Sequence, residues 1–333
     1  MAKEKSKPTL TDIASHSGVS AATVSRVMNR SGSVSNELVT KVNQTIRELG
    51  LREATKGFIA ILSPDFGSLT VTDKLTGIYA EAERLGYTPV PLHMGSSTEA
   101  TDRNLRLLKV LGFDALVILK DGVDPEELRS KYQLGPIPIV MVNHRVDLPN
   151  VHSIDINRDV GMYKAARYLI SLGHRRIAYL SAPLVGKVAT DRKDGIDRAL
   201  GEAGLEAIFR QANPSIESGF QMLGSLLNDT ESERPTAIIA FDDLVAVGCL
   251  NAMSSYGCKV PEDISIVGFD DLFITRHTNP PLTTVHQPWH RMGQFAVTKI
   301  DHILAGNDTD LGGLTVLECP LIVRESTGPA PGR

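Results

Sequence analysis

The sequence predicts an α/β protein: a small helical head, then a large body of parallel sheets flanked by helices and arranged in two lobes. Three observations lead there. Near the N-terminus two short amphipathic segments are separated by a glycine. From Phe58 onwards, short apolar runs alternate with amphipathic stretches, the rhythm of β-α-β units. After Pro149-Asn150 that rhythm starts again, which divides the body in two.

The head comes first. Either Thr11 or Thr9 caps an opening helix with Ile13 and Ala14 on its apolar side, and Gly18 allows a tight turn. Ser20 caps a second helix whose Val24, Val27 and Met28 fall at i, i+3 and i+4. Ala14 is small where two helices cross, and Val19 plugs the corner between them. This is the composition of a helix-turn-helix, whose second helix enters the major groove with its N-terminal residues facing base edges. Arg26 on that helix suits a base edge or a phosphate, because its guanidinium can bond guanine in bidentate fashion. Charge agrees. Residues 1–56 hold nine Lys/Arg against five Asp/Glu, and the remainder 26 against 34. A basic head on an acidic body suits nucleic acid at one end.

In the body, residues 58–62 read as a buried strand and 72–85 as a helix ended by Gly86. Further strands follow at 87–92, 115–119 and 139–142. The second half gives helices at 159–172 and 191–203, with strands at 176–181, 237–241 and 263–268. The halves share a local phrase, Arg84-Leu-Gly-Tyr87 against Ser171-Leu-Gly-His174, each a helix end leading to a strand. Open α/β sheets bind ligands beyond the carboxyl ends of their strands. Ser63 and Asp65 follow the first strand, Asp242-Asp243 ends a strand of the second lobe, and Asp270 follows another. For Asp243, capping the next helix is the preferred reading.

Composition excludes several classes. A chain of 333 residues with 42% hydrophobic and 22% charged residues is ample for more than one globular domain. No apolar run approaches a membrane span. The opening Met-Ala-Lys-Glu-Lys-Ser-Lys-Pro lacks the apolar core of a signal peptide. Cys249, Cys258 and Cys319 are odd in number and lack metal-ligand spacing, so reduced thiols in a cytoplasmic protein are expected. No cofactor is implied. There is no G-x-S-x-G elbow, no G-x-x-x-x-G-K-S/T loop and no H-E-x-x-H. The paired aspartates suit polar recognition at strand ends better than a metal-hydrolase centre, so an enzyme is not expected.

Leu10-Thr11-Asp12-Ile13-Ala14, Gly18-Val19-Ser20 and Thr23-Val24-Ser25-Arg26-Val27-Met28-Asn29 resemble the head of the lactose-repressor (LacI/GalR) family of bacterial transcription regulators. Val34-Ser35 and residues 42–50 resemble the third helix of that head. The resemblance covers nearly the whole chain and implies a two-lobed effector domain of periplasmic-binding-protein type. It also implies that Ala21, Ala22 and Arg26 are the main base readers. Two alanines offer only methyl contacts, so hydrogen-bond readout is thin there. Thr11, Ser20, Thr23, Ser25, Asn29 and Ser35 complete the DNA-contacting set, mainly through phosphates. In the body, Arg192 matches the family's effector-binding arginine, and Val-Gly-Phe-Asp-Asp at 267–271 is close to its signature. A buried ion pair between Arg192 and Asp270 is the structural alternative. Asp242 stands where the family usually has Asn, which adds a charge and removes a donor.

Two departures stand out. Where the family often stacks aromatics on the effector, this chain has Thr70-Val71 and Pro214, with Phe66 and Trp289 as the available substitutes. The family's hinge helix is also missing: Gly50 is followed by Leu51-Arg-Glu-Ala-Thr-Lys-Gly57, too short for that helix and its connections. Paired minor-groove wedges and a strong operator bend are therefore not expected.

The expected domains are a headpiece at 1–50, a linker at 51–57 and an effector and dimerisation domain at 58–333. Its first lobe is expected at 58–150 and 287–319, its second at 151–286 and 320–328. The function expected is a cytoplasmic homodimeric repressor on a pseudo-palindromic double-stranded DNA operator, without a membrane partner. A small-molecule effector bound by Ser63, Asp65, Thr70, Arg192, Asp242 and Asp270, a sugar or sugar derivative first, would set its affinity. The alternatives are a solute-binding protein without DNA function and an effector-independent DNA-binder with a vestigial cleft.

Overall fold

The computed structural model describes residues 9–28, 34–49, 56–95, 97–120, 122–230, 234–307 and 312–332. The head holds three helices: α1 (Leu10–Ser17), α2 (Ala21–Met28) and α3 (Asn36–Glu48). Its core is small: Ile13, Ala14, Val24, Val42 and Ile46, with Val19, Val27 and Leu49 packed against it. Met28, expected on the apolar face, is 52% exposed at the end of α2. The linker expectation concerns residues 51–57, of which 51–55 lie outside the described residues.

The first lobe contains β1 (Gly57–Ser63), α4 (Leu69–Leu85), β2 (Tyr87–His93), α5 (Thr98–Leu111), β3 (Ala115–Ile118), α6 (Pro125–Tyr132), β4 (Ile139–Val142) and β5 (Val151–Ile156). The chain then builds the second lobe with α7 (Arg158–Ser171), β6 (Ile177–Ser181), α8 (Lys187–Glu202), β7 (Ile208–Gln211), α9 (Ile216–Leu227), β8 (Ala237–Ala240), α10 (Asp243–Ser255), β9 (Ser265–Asp270) and β10 (Thr283–His286). It returns to the first lobe for α11 (Trp289–Leu304) and β11 (Gly313–Leu317), and ends in the second with β12 (Leu321–Ile322).

The two sheets run β11-β5-β4-β3-β1-β2 and β12-β10-β9-β8-β6-β7. Their pairings are parallel except that of β12 with β10, which is antiparallel. The strand β5 corrects the lobe boundary expected at 150/151. It pairs with β4 on one side and β11 on the other, so the first crossing comes after Ile156. Its pattern hides it: His152, Ser153 and Asp155 are buried polar residues, each bonded to groups outside the strand. His152 contacts the Gly312 carbonyl oxygen at 2.8 Å and Thr315 Oγ1 at 2.9 Å.

The shared phrase of the two halves has a common cause. Gly86 and Gly173 both take positive φ, 83° and 92°, where a side chain would be strained. A different glycine use fixes α4 against α11. A Cβ at Gly77 would lie 1.9 Å from the His290 carbonyl oxygen, and one at Gly293 would lie 2.2 Å from that of Lys74. The backbones touch, and this close crossing sets the position of the cleft side of both helices.

Candidate functional site

In the head, Thr9 rather than Thr11 caps α1. The Asp12 N–H donates to Thr9 Oγ1 at 3.3 Å, and the Thr9 N–H donates back to Asp12 Oδ2 at 2.6 Å, a reciprocal capping box. That bonding holds the Asp12 carboxyl below its ordinary value. Gly18 then turns the chain at φ 62°. Ser20 Oγ accepts the Thr23 N–H at 3.1 Å and so starts α2. With Val24 fully buried, the helical period puts Ala22 and Arg26 on the opposite side, and both are exposed, as is Ala21. Thr23 and Ser25 are half-buried, and Thr11 and Ser35 are exposed. Ser35 Oγ accepts the Leu38 N–H at 3.4 Å and caps α3. Asn29 lies outside the described residues.

At the carboxyl end of β1, Ser63 is fully buried and donates to the Asp65 carbonyl oxygen at 2.5 Å. Asp65 Oδ1 accepts the Gly67 and Ser68 N–H groups at 2.9 and 2.7 Å, which folds the turn into α4. Thr70 Oγ1 lies 3.1 Å from Ser68 Oγ. These three residues sit together in the first lobe and shape that loop.

Across the cleft, Arg192 on α8 is held between two aromatic faces. Its guanidinium carbon is 4.2 Å from the Phe241 ring centre and 4.0 Å from that of Phe269. One terminal nitrogen donates to the Phe241 carbonyl oxygen at 2.5 Å, and the other is 3.6 Å from Asp270 Oδ1. Asp270 ends β9 at φ 123°, a region side chains rarely adopt and one found where a site constrains the backbone. Burial pushes its carboxyl up to about 7, against the pull of Arg192 and with the push of Asp242. The preferred reading of the aspartate pair is reversed here. Asp242 is the cap, its Oδ1 accepting the Val245 N–H at 2.8 Å, because α10 begins one residue later than the cap. Asp243 is buried and accepts from the Leu272 N–H at 2.7 Å and Thr284 Oγ1 at 2.6 Å. Burial raises both carboxyls.

Sequence reasoning missed several residues at the crossings. Gln287 is buried and donates to Asp270 Oδ1 through Nε2. Lys74, buried on α4, places Nζ 4.4 Å from the centre of the Trp289 ring. Its signal was a cation inside the apolar spacing Val71, Lys74, Ile78. Trp289, named as a substitute aromatic, is 5% exposed, whereas Phe66 is 41% exposed and lies tilted against His93. Beside Trp289 lies a recess of about 560 Å³, bordered by Asp73, His286, Arg291 and Glu318. Arg158 ties the lobes at the first crossing. It donates to Asn143 Oδ1 at 2.6 Å and Asp155 Oδ1 at 2.5 Å in the first lobe, and lies 3.8 Å from Asp191 in the second. Burial alone would raise the Asp155 carboxyl, but Arg158 outweighs it and Arg145 helps, so the net direction is down.

A capped helix-turn-helix thus precedes two sheets with polar residues at the carboxyl ends of their strands, and comparison with known proteins matches both parts. Residues 9–52 match the family described as bacterial regulatory proteins, lacI family, and residues 166–327 match a periplasmic binding protein-like domain. The transcriptional regulator DegA of Bacillus subtilis (strain 168) is 31% identical over 342 residues, covering 97% of this chain and 99% of its own. The chain belongs to the lacI family of bacterial regulatory proteins. The transcriptional repressor PurR of Vibrio atlanticus (strain LGP32) is 32% identical, with 86% and 89% covered. Among solved structures, the lac repressor dimer bound to operator and an anti-inducer is 28% identical with a TM-score of 0.72, covering 96% of this chain and 99% of that one. A complex of the transcriptional regulator CelR with cellobiose gives 28% and 0.70 over the same shares. The lacI-family fold expected from the residues is therefore the fold found, and its relatives are transcription regulators rather than enzymes.

Proposed function

We propose that this lacI-family regulator is a cytoplasmic repressor that binds a pseudo-palindromic operator as a homodimer and catalyses no reaction. The observation that carries this reading is the outward face of α2, where Ala22 and Arg26 stand exposed opposite the fully buried Val24. Arg26 supplies the hydrogen bonds of direct readout, Ala21 and Ala22 supply methyl contacts, and Thr11, Ser20, Thr23, Ser25, Asn29 and Ser35 hold phosphates. The two-domain organisation, head at 1–50 and effector domain from 58, follows the family's division of labour.

The effector is a small polar metabolite bound between the lobes by Arg192 and Asp270, with Asp242, Ser63, Asp65 and Thr70 around them. The solved relatives bound to cellobiose and to an anti-inducer support a small-molecule effector. Binding draws on both lobes and so changes how the paired heads are presented. Selection of duplexes from a random pool tests the head: enrichment of a two-fold symmetric site is expected, and recovery of unrelated sequences would refute it.

A further inference from the structure

The helix that frames the first lobe's side of the cleft contributes a buried charge. Lys74 is 4% exposed, and its ammonium covers the face of Trp289. Its backbone is fixed by the close crossing of α4 and α11, where Gly293 leaves no room for a side chain beside the Lys74 carbonyl. The Trp289 backbone N–H donates to the Gln287 carbonyl oxygen at 2.8 Å, and the Gln287 amide donates to Asp270, so the Lys74–Trp289 pair sits beside the link to the other lobe. The indole face on which a neutral sugar ring would stack is thereby occupied by a cation.

The neighbouring carboxylates are engaged. Asp242 accepts from Val245, Asp243 from Leu272 and Thr284, and Asp270 from Gln287 beside Arg192. Donors, by contrast, are in excess. Of the buried side-chain atoms without a hydrogen-bond partner among the described residues, the donors Arg192 Nε and Trp289 Nε1 and the acceptor Gln287 Oε1 belong to this group. Unmet buried donors are costly in the free protein and are relieved by a ligand that brings acceptors.

We propose that the effector is a hydroxylated anion, a sugar acid or sugar phosphate, and that Lys74 is the residue that selects its charge. This rests on the reading of the cleft as the effector site. The carboxylate or phosphate takes the charge-assisted bonds of Lys74 and the guanidinium of Arg192, while a hydroxyl meets Gln287 Oε1. Asp270 does not oppose the anion, since a carboxyl raised towards neutrality takes up a proton when a second negative charge arrives.

The test is calorimetric titration of the full-length protein, at constant ionic strength, with D-ribose, D-glucose, ribose 5-phosphate, glucose 6-phosphate, glucuronate and gluconate. At least one charged probe is expected to bind about tenfold or more tightly than its neutral parent. Lys74→Met should weaken that probe by about ten- to a hundredfold, the range for one bond to a charged group, and Lys74→Arg should keep most of the affinity. The phosphate and carboxylate arms separate the two anion classes. Neutral sugars that bind as well as their charged forms, or a K74M protein that binds the charged probe undiminished, would overturn the proposal and leave the cleft reading standing. Failure of every probe to bind, with duplex affinity unmoved by any of them, would remove both. Should K74M not fold, the charged and neutral pairs on the wild type and on K74R decide the matter.

Discussion

Replacing Asp270 by Asn should flatten the protein's loss of stability as pH rises. In the folded chain the Asp270 carboxyl is pushed up to about 7 by burial, against an ordinary value of 3.8. Between those values the native state holds a proton that the unfolded chain has released. Stability from this group is therefore full below the ordinary value and is lost as pH rises through about 7. The ceiling on that loss is about 4 kcal/mol, with roughly 2 kcal/mol of it falling between pH 5 and pH 7. Asp242 and Asp243 are shifted in the same direction and add to the fall in the wild type. Asn keeps an acceptor for Gln287 and removes only the ionisable group. Urea unfolding of the ligand-free protein at pH 5, 6, 7 and 8 should show D270N gaining on the wild type as pH rises. Parallel curves for the two proteins would refute the reasoning, because they would mean that Asp270 is ionised throughout.

Two further substitutions test the packing that positions the cleft. Gly77→Ala should destabilise by about 1–3 kcal/mol or more, the range for overpacking, because its Cβ would meet the His290 carbonyl at 1.9 Å; thermal unfolding measures it, and a neutral result would contradict the α4–α11 crossing. Arg158→Met should cost about 3 kcal/mol, the low end for breaking a buried pair, because Asp155 Oδ1 loses its partner while Oδ2 keeps Arg145 at 2.7 Å. Its loss should shrink as pH falls, because the half-paired carboxylate of the variant takes up a proton more readily, and a pH-independent loss in urea titrations would contradict the ion-pair account.

The parts of the protein legible in its sequence are those whose physics is local. The turn at Gly18 and the cap at Ser20 depend on residues within one helical turn. Apolar strands such as β3 and β4, buried along their whole length, betray themselves by composition. The strand β5 did not, because its polar residues are satisfied by Gly312, Thr315, Arg145 and Arg158, partners that no local pattern reveals. The same holds for the cleft. Arg192 and Asp270 were readable from their phrases, and the structure places them 3.6 Å apart. Lys74 and Gln287 were not, since each becomes meaningful only when α11 carries Trp289 back across the first lobe. The cap fell to Asp242 and not to Asp243 because a one-residue difference in the start of α10 decides which side chain faces the helix end and which is buried.

The central claim, that α2 reads a specific DNA sequence, is tested most directly by comparing Arg26→Ala with the wild type on a selected duplex and on a scrambled one at fixed salt. The account predicts that the wild type prefers the selected duplex by about a thousandfold or more. The variant should lose about 1–3 kcal/mol on that duplex, relax its preference at one base pair in each half-site, and bind the scrambled duplex nearly as before. Equal affinity of the wild type for both duplexes, or an R26A protein with undiminished affinity and the same base preferences, would contradict it.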